Sequence, residues 1–443
     1  MNFYRSTGRH RMEPAMKKIP AYLVMLAAGT AMTLPAVALD LSTSGFGTVG
    51  YSRSDQPYNY QRFVDDGGTF KRDSVLGLQV DARINDQFSA TLQGKVAASL
   101  KSDTTTDATI SWAFLSWRPS NDWLVRAGRL RVPLYLRSES TDVGTTFDFA
   151  QLPTEVYSTS PTTDFDGLAV SKTWNTPAGE WTLDGYLGST NTTYRTYLRD
   201  NPAAGLPGAV FSPVKVKARA LVLTFQQDDN LYRLGAHDVR VRVRDGQSTP
   251  KTFPSVTIAP GISYYQVSSL MPGPGLVSVD EVHSPTYAMG ADIGVGADFR
   301  LVGEYVRRNV LGVNTGANTR GAYLAVLRSV GAWTPYVSVG RLLSAPEVRD
   351  FYSKVNASRV PAFIPGAARI NASQRAGADS IAPFDQTTWA LGTSYRLSPT
   401  SKLKAEWTRT RTGLVSGLID APVGGESGNQ VVNVLSLSCS FVF

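Results

Sequence analysis

Charged residues at a spacing of two recur in two neighbouring stretches of the chain. Lys215, Lys217 and Arg219 alternate with Val216, Ala218 and Ala220, and Arg240, Arg242 and Arg244 alternate with Val239, Val241 and Val243. A period of two is the period of a β-strand, so each charged set shares one face. If the valines and alanines meet an apolar exterior, the six cations point into an enclosed space, where low-dielectric walls focus their field. The chemistry expected of such a wall is the concentration of anions such as phosphate, sulfate or carboxylates, with Arg126 and Arg129 continuing the basic path. The alternative is that the same cations pair with loop carboxylates or with phosphates outside the protein and only stabilise a rim. The turn at Asp228 to Asn230 sets the two ladders side by side. The change of apolar phase between Ala236 and Val239 predicts a β-bulge near His237-Asp238.

Two further groups could do chemistry. The stretch from Arg131 to Phe165 carries Glu139, Asp142, Asp148, Glu155 and Asp164, which would suit a set of carboxylates facing a basic wall, or simply an exposed polar loop. Hydrolysis would need an activated nucleophile or water with an acid–base partner. His237 beside Asp238 is the pair to consider, with His283 elsewhere, but adjacent strand residues point to opposite faces. No enzyme is expected. The one cysteine, Cys439, excludes an intramolecular disulfide, and no Cys/His cluster or phosphate-binding glycine motif points to a metal or cofactor. Tyr135, Tyr157, Tyr194 and Tyr197 read as loop packing or interface aromatics rather than a sugar-stacking path.

The elements that must position these residues are strands. Leu76, Leu78, Val80, Ala82 and Ile84 alternate with Gly77, Gln79, Asp81 and Arg83, and after Asn85-Asp86 the alternation resumes with Phe88, Ala90, Leu92 and Val96. The pattern recurs to the last residue, where Leu435, Leu437, Cys439, Phe441 and Phe443 oppose Ser436, Ser438, Ser440 and Val442. No helical period persists after Ala38. Short turns near Asn85, Ser120, Pro177, Asp229, Gly296, Gly331 and Thr400 alternate with long polar stretches at 53–73, 99–108, 131–165, 189–214, 245–284, 310–319, 345–384 and 414–428. The fold expected is all-β: a transmembrane antiparallel β-barrel of sixteen strands, one face to lipid and the other to water. Closure pairs every backbone polar group, which a lipid surrounding demands.

Composition fits this reading, with 39 Gly, 19 Tyr, 18 Phe and 8 Trp but only 18% charged residues. Met16-Lys17-Lys18 followed by the uncharged Ile19 to Leu34 and by Ala36-Val37-Ala38 has the order of a cleavable signal peptide. The expected division is a leader over 1–38 and a barrel over 39–443, with the first strand too near the cleavage site to leave room for a plug domain. Removing 1–38 takes away five Lys/Arg and one Glu and lowers the formal charge from +8 to +4. The remaining basic residues are dispersed, so nucleic acid is not expected as a partner.

The stretch from residue 39 to the end resembles the general trimeric porins of Gram-negative outer membranes. The likeness is carried by the terminal Phe443 with alternate apolar residues before it, by Gly45-Phe46-Gly47-Thr48-Val49-Gly50-Tyr51, and by Trp123-Leu124-Val125-Arg126-Ala127-Gly128-Arg129. The resemblance implies a homotrimer that passes small hydrophilic solutes, with Phe443 read by the barrel-assembly machinery. It also implies that the third long loop, with Glu139, Asp142, Asp148 and Glu155, folds inward as a constriction. Leu152-Pro153-Thr154-Glu155 keeps only a Pro and a Glu of the enterobacterial Pro-Glu-Phe motif. Long loops also suit a non-conducting barrel acting as an adhesin or structural protein, and conductance separates the two.

Overall fold

The turn after Arg83 sets the first hairpin. Asn85 Oδ1 accepts hydrogen bonds from the amides of Gln87 and Phe88, both at 2.9 Å, an Asx geometry that reverses the chain. Strands β2 (Val75–Arg83) and β3 (Phe88–Ala98) then pair in register from Arg83↔Ser89 to Val75↔Ala97. Leu76, Leu78, Leu92 and Val96 project outward, about half exposed, while Gln79 and Gln93 face each other inside and share a 2.7 Å hydrogen bond.

The computed structural model describes residues 40–160, 163–200, 208–421 and 424–443, and the expected leader, residues 1–38 with its signal peptide Met16–Ala38, lies outside them. Sixteen antiparallel strands close into a barrel. The others are β1 (Asp40–Ser54), β4 (Thr106–Ser120), β5 (Trp123–Arg131), β6 (Asp164–Thr176), β7 (Gly179–Leu198), β8 (Gly208–Gln227), β9 (Asn230–Val243), β10 (Thr286–Gly296), β11 (Phe299–Arg308), β12 (Thr319–Arg328), β13 (Trp333–Ser344), β14 (Phe384–Ser398), β15 (Ser401–Ser416) and β16 (Val431–Val442). Glu281–His283 prolongs β10 against β9 in the same register.

The barrel closes where β1 meets β16, from Phe46↔Val442 to Ser54↔Val434. Beyond the strand end, Gly45 and Phe443 exchange backbone hydrogen bonds of 2.8 and 3.0 Å. A Cβ at Gly45 would meet the Phe443 ring at 2.3 Å, so the bare glycine makes room for the terminal aromatic.

The outer surface is apolar in a continuous belt: Leu115, Leu187, Leu221, Met289, Leu324, Trp389 and Leu437 are all exposed. At the short-turn end, Trp174, Trp181, Phe225 and Tyr232 stack in a row across β6–β9, with centroids 6.5, 4.4 and 5.9 Å apart. An apolar belt edged by aromatics around a closed sheet with a polar interior is the surface of an integral outer-membrane barrel. No helix among the described residues is long and apolar enough to cross a membrane.

The long-loop end departs from the expectation in two ways. The stretch 189–214 is largely strand, because β7 and β8 each run 20 residues and leave only 199–207 between them. At about 3.3 Å per residue such a hairpin spans roughly 65 Å, far more than a bilayer core. The stretch 345–384 carries two helices rather than a plain polar loop, at Pro346–Ala357 and Ala367–Ile381. They pack Val348, Tyr352, Val355, Ala378 and Ile381 against Phe253 of the 245–280 loop and Val415 of β15.

Candidate functional site

The connection 132–163 turns into the barrel. It contains a one-turn helix, α1 (Thr154–Tyr157), and its Leu134, Tyr135, Leu136, Phe147, Phe149, Leu152 and Val156 bury against inward residues of β6, β7 and β10–β13. Part of the apolar lumen is thus filled by this loop. Polar tethers then fix its path. Glu304 of β11 accepts from the Leu136 amide at 2.8 Å and from the hydroxyls of Tyr157 and Tyr323 at 2.7 and 2.8 Å. Arg137 reaches Asp292 at 2.5 Å. Lys404 donates to the Phe149 carbonyl at 3.0 Å.

The four loop carboxylates divide by role. Asp148 is held by Lys402 at 2.9 Å, Ser394 at 2.8 Å and Arg300 at 3.4 Å. Burial alone would raise its pKa, but Lys402 and Arg300 outweigh burial and hold it below the ordinary carboxylate range. Glu155 is 2% exposed and accepts from Gln386 at 3.0 Å and from Thr388. A Cβ at Gly321 would lie 2.0 Å from the Glu155 carbonyl, so β12 must present a glycine for the loop to seat. Glu139 is more exposed and only approaches Arg233, at 3.7 Å. Asp142 alone borders a polar passage: it bonds Lys95 at 2.7 Å and also Arg131, which in turn holds Asp164 at 3.0 Å. Burial would raise Asp142, and the two cations hold it low instead. Asp148 and Glu155, expected to face a basic wall across the constriction, are instead tethers to the wall itself.

Successive inward residues of β3 trace the passage. Thr91 lines a chamber of about 660 Å³ at the short-turn end, with Asp81, Arg118 and Arg126. Ala97 lines one of about 420 Å³ on the loop side, with Arg62, Arg72, Asp73, Asp142 and Lys404. Gln93 and Lys95 lie between them, so the Lys95–Asp142–Arg131 contact sits where the two chambers approach. Arg126 lies on the inward face, bordering the short-turn chamber. Arg129 does not: it shares the outer face with its partner Asp166, 3.2 Å away.

The six cations of β8 and β9 lie on the outer face. Leu221 is 61% exposed and Val216 only 3%, so Lys215, Lys217 and Arg219 share the parity of the lipid-facing residues and the valines point inward. Pairing of β8 with β9 runs unbroken from Gln227↔Asn230 to Val214↔Val243, so the expected bulge at His237-Asp238 is absent and Arg240, Arg242 and Arg244 also face out. Apolar side chains are inward here because they pack on the loop root and the vestibule, not on lipid. On the outer face Arg219 bonds Asp238 at 2.8 Å, Arg240 and Lys217 approach Glu281 at 3.3 and 3.9 Å, and His283 meets Asp238 at 2.5 Å. His237 points inward to the Tyr186 hydroxyl at 2.8 Å, so it and Asp238 form no catalytic pair. Phe443 is exposed on the outer face.

Sequence reasoning passed over Lys95, Arg131, Arg300, Glu304 and Lys402 as site residues. Lys95, Arg300 and Glu304 alternate with apolar residues in phase with the lumen, which marks their face. Their partners come from a loop whose path no local pattern encodes.

No family model matches the chain, and no curated protein does. Among solved structures, Pseudomonas putida OprB shares the fold at a TM-score of 0.50, with 12% identity over 91% of this chain and 94% of that one. An anion-selective porin from Comamonas acidovorans (TM-score 0.47, 11% identity, 91% and 100% covered) and OmpT of Vibrio cholerae (0.48, 10%, 91% and 98%) align over similar lengths. The fold is that of a porin-type outer-membrane barrel.

Proposed function

We propose that the chain forms a passive, water-filled channel for small hydrophilic solutes in a Gram-negative outer membrane. The observation that carries the reading is the pair of polar chambers on either side of the Lys95–Asp142–Arg131 contact, inside a barrel whose outside is apolar. Inward folding of 132–163 supports a size limit set by that loop. The anion preference expected from the basic ladders loses the residues that carried it, because all six face away from the lumen. At the narrowing, cations and carboxylates are paired, as at Lys95–Asp142–Arg131 and Lys402–Asp148–Arg300, so charge selection there is weak. The outward ladders meet the phosphates of lipopolysaccharide at the outer leaflet, and assembly as a homotrimer follows the resemblance seen in the sequence.

The test is swelling of liposomes reconstituted with the purified protein, using neutral sugars of increasing size. Rates that fall smoothly with solute size support a general diffusion pore. No swelling with any sugar favours the adhesin or structural reading, and selective uptake of one sugar contradicts a general pore.

A further inference from the structure

Across the folded loop from the polar chambers lies a third space of a different kind, a cavity of about 490 Å³. Its wall is a sheet of aliphatic side chains: Val214, Val216 and Ala218 of β8 and Val239, Val241 and Val243 of β9. Leu134, Tyr186 and His237 lie at its deep end, and Phe253, Val267 and Ile381 of the loop cap border its outer end. A chamber of this size with one aliphatic wall, edged by hydroxyls such as Thr159, Ser212, Thr286 and Thr315, has the character of a small-molecule site.

One cation stands in this wall. Arg308, inward at the end of β11, donates to the Thr159 carbonyl at 3.2 Å and the Ala317 carbonyl at 3.3 Å. Its Nε is buried with no hydrogen-bond partner, and among the described residues no carboxylate lies within ion-pair distance of it. Two other inward arginines, Arg300 on the same strand and Arg233 on β9, do have carboxylates, Asp292 and Glu139. A guanidinium bordering an apolar cavity and compensated only by carbonyl dipoles lacks its natural counter-charge.

We propose that this cavity binds a monocarboxylate with an apolar body, the carboxylate at Arg308 and the hydrocarbon against the valine wall. The inference goes beyond passive conduction and does not need it, since it concerns equilibrium binding beside the loop rather than flow past it.

The test is isothermal titration of the purified full-length protein in detergent with benzoate, benzyl alcohol and inorganic phosphate. Benzoate is expected to bind, with benzyl alcohol and phosphate each at least about tenfold weaker, since one lacks the charge and the other the apolar body. Arg308→Gln is expected to abolish the preference of benzoate over benzyl alcohol, and Val241→Asn to weaken benzoate without touching the charge. Equal binding of benzoate and phosphate, or of benzoate and benzyl alcohol, by the wild-type protein overturns the site, and these comparisons stand whether or not the variants fold. A protein that swells liposomes but does not bind benzoate refutes this inference alone.

Discussion

Replacing Asp148 by alanine removes the carboxylate that joins the folded loop to three strands at once. The side chain is 11% exposed and is shared by Lys402, Ser394 and Arg300. Breaking a buried pair by deleting one partner costs about 3–5 kcal/mol, here because Lys402 is left without a carboxylate while Arg300 keeps Asp292. The lower figure is already on the order of a hundredfold in the balance between docked and undocked loop. Only the segment 143–148 is loosened, since Asp142 keeps Lys95 and Arg131, the Phe149 carbonyl keeps Lys404, and Leu136, Tyr157 and Glu155 keep their tethers to Glu304, Gln386 and Thr388. Single-channel recording in planar bilayers is expected to show larger and noisier open currents for Asp148→Ala. Glu139→Ala, whose carboxylate is 42% exposed and 3.7 Å from Arg233, is the control and is expected to leave the current unchanged. If Glu139→Ala alters the current and Asp148→Ala does not, the tethering scheme is wrong.

Changing Lys215, Lys217, Arg219, Arg240, Arg242 and Arg244 together to glutamine is expected to leave conductance and reversal potential unaltered, because the six side chains lie outside the lumen; a shift in reversal potential would put them back inside. Asp142 and Asp148 are held below their ordinary pKa of 3.8, so the stability they contribute is full above that value and lost as pH falls through their lower folded pKa. Open-channel current should therefore be steady from pH 7 to about pH 4 and become noisy only in stronger acid. Asp379, on the second loop helix and bonded to Arg199 at 2.8 Å, is pushed up to about 6, chiefly by burial. For a raised carboxylate the contribution is full below about 3.8 and lost as pH rises through about 6, so hydrogen exchange in 367–381 should be slower at pH 5 than at pH 8 after correction for intrinsic rates. Deleting Phe443 should lower the yield of heat-modifiable barrel in outer membranes, since the ring packs over Gly45 and its backbone closes the last pair.

Most of the barrel is legible because lipid on one side and water on the other impose a two-residue period at each membrane-spanning strand. Asn85 announces its turn by side-chain chemistry, and Leu435 to Phe443 places its own faces. The rule fails on β8 and β9 where they leave the bilayer. There the exterior is polar and the interior is an apolar space beside the folded loop, so the valines turn inward and the phase of Leu221, not of Val216, is the one that carries through. The two loop helices escape notice because they begin at Ala345 and Gly366, neither of which offers a capping side chain. Asp142 and Asp148 are legible as acids of an inward loop, but their partners Lys95 and Lys402 are 47 and 254 residues away in the barrel, and Arg131, 11 residues from Asp142, meets it only once the loop has folded back.

The most direct measurement of the central claim is single-channel current through the purified protein in a planar bilayer under a KCl gradient. The account predicts stable, ohmic open steps with a reversal potential near zero, as a water-filled lumen whose narrowing holds paired charges requires. An intact heat-modifiable barrel that passes no current would contradict it.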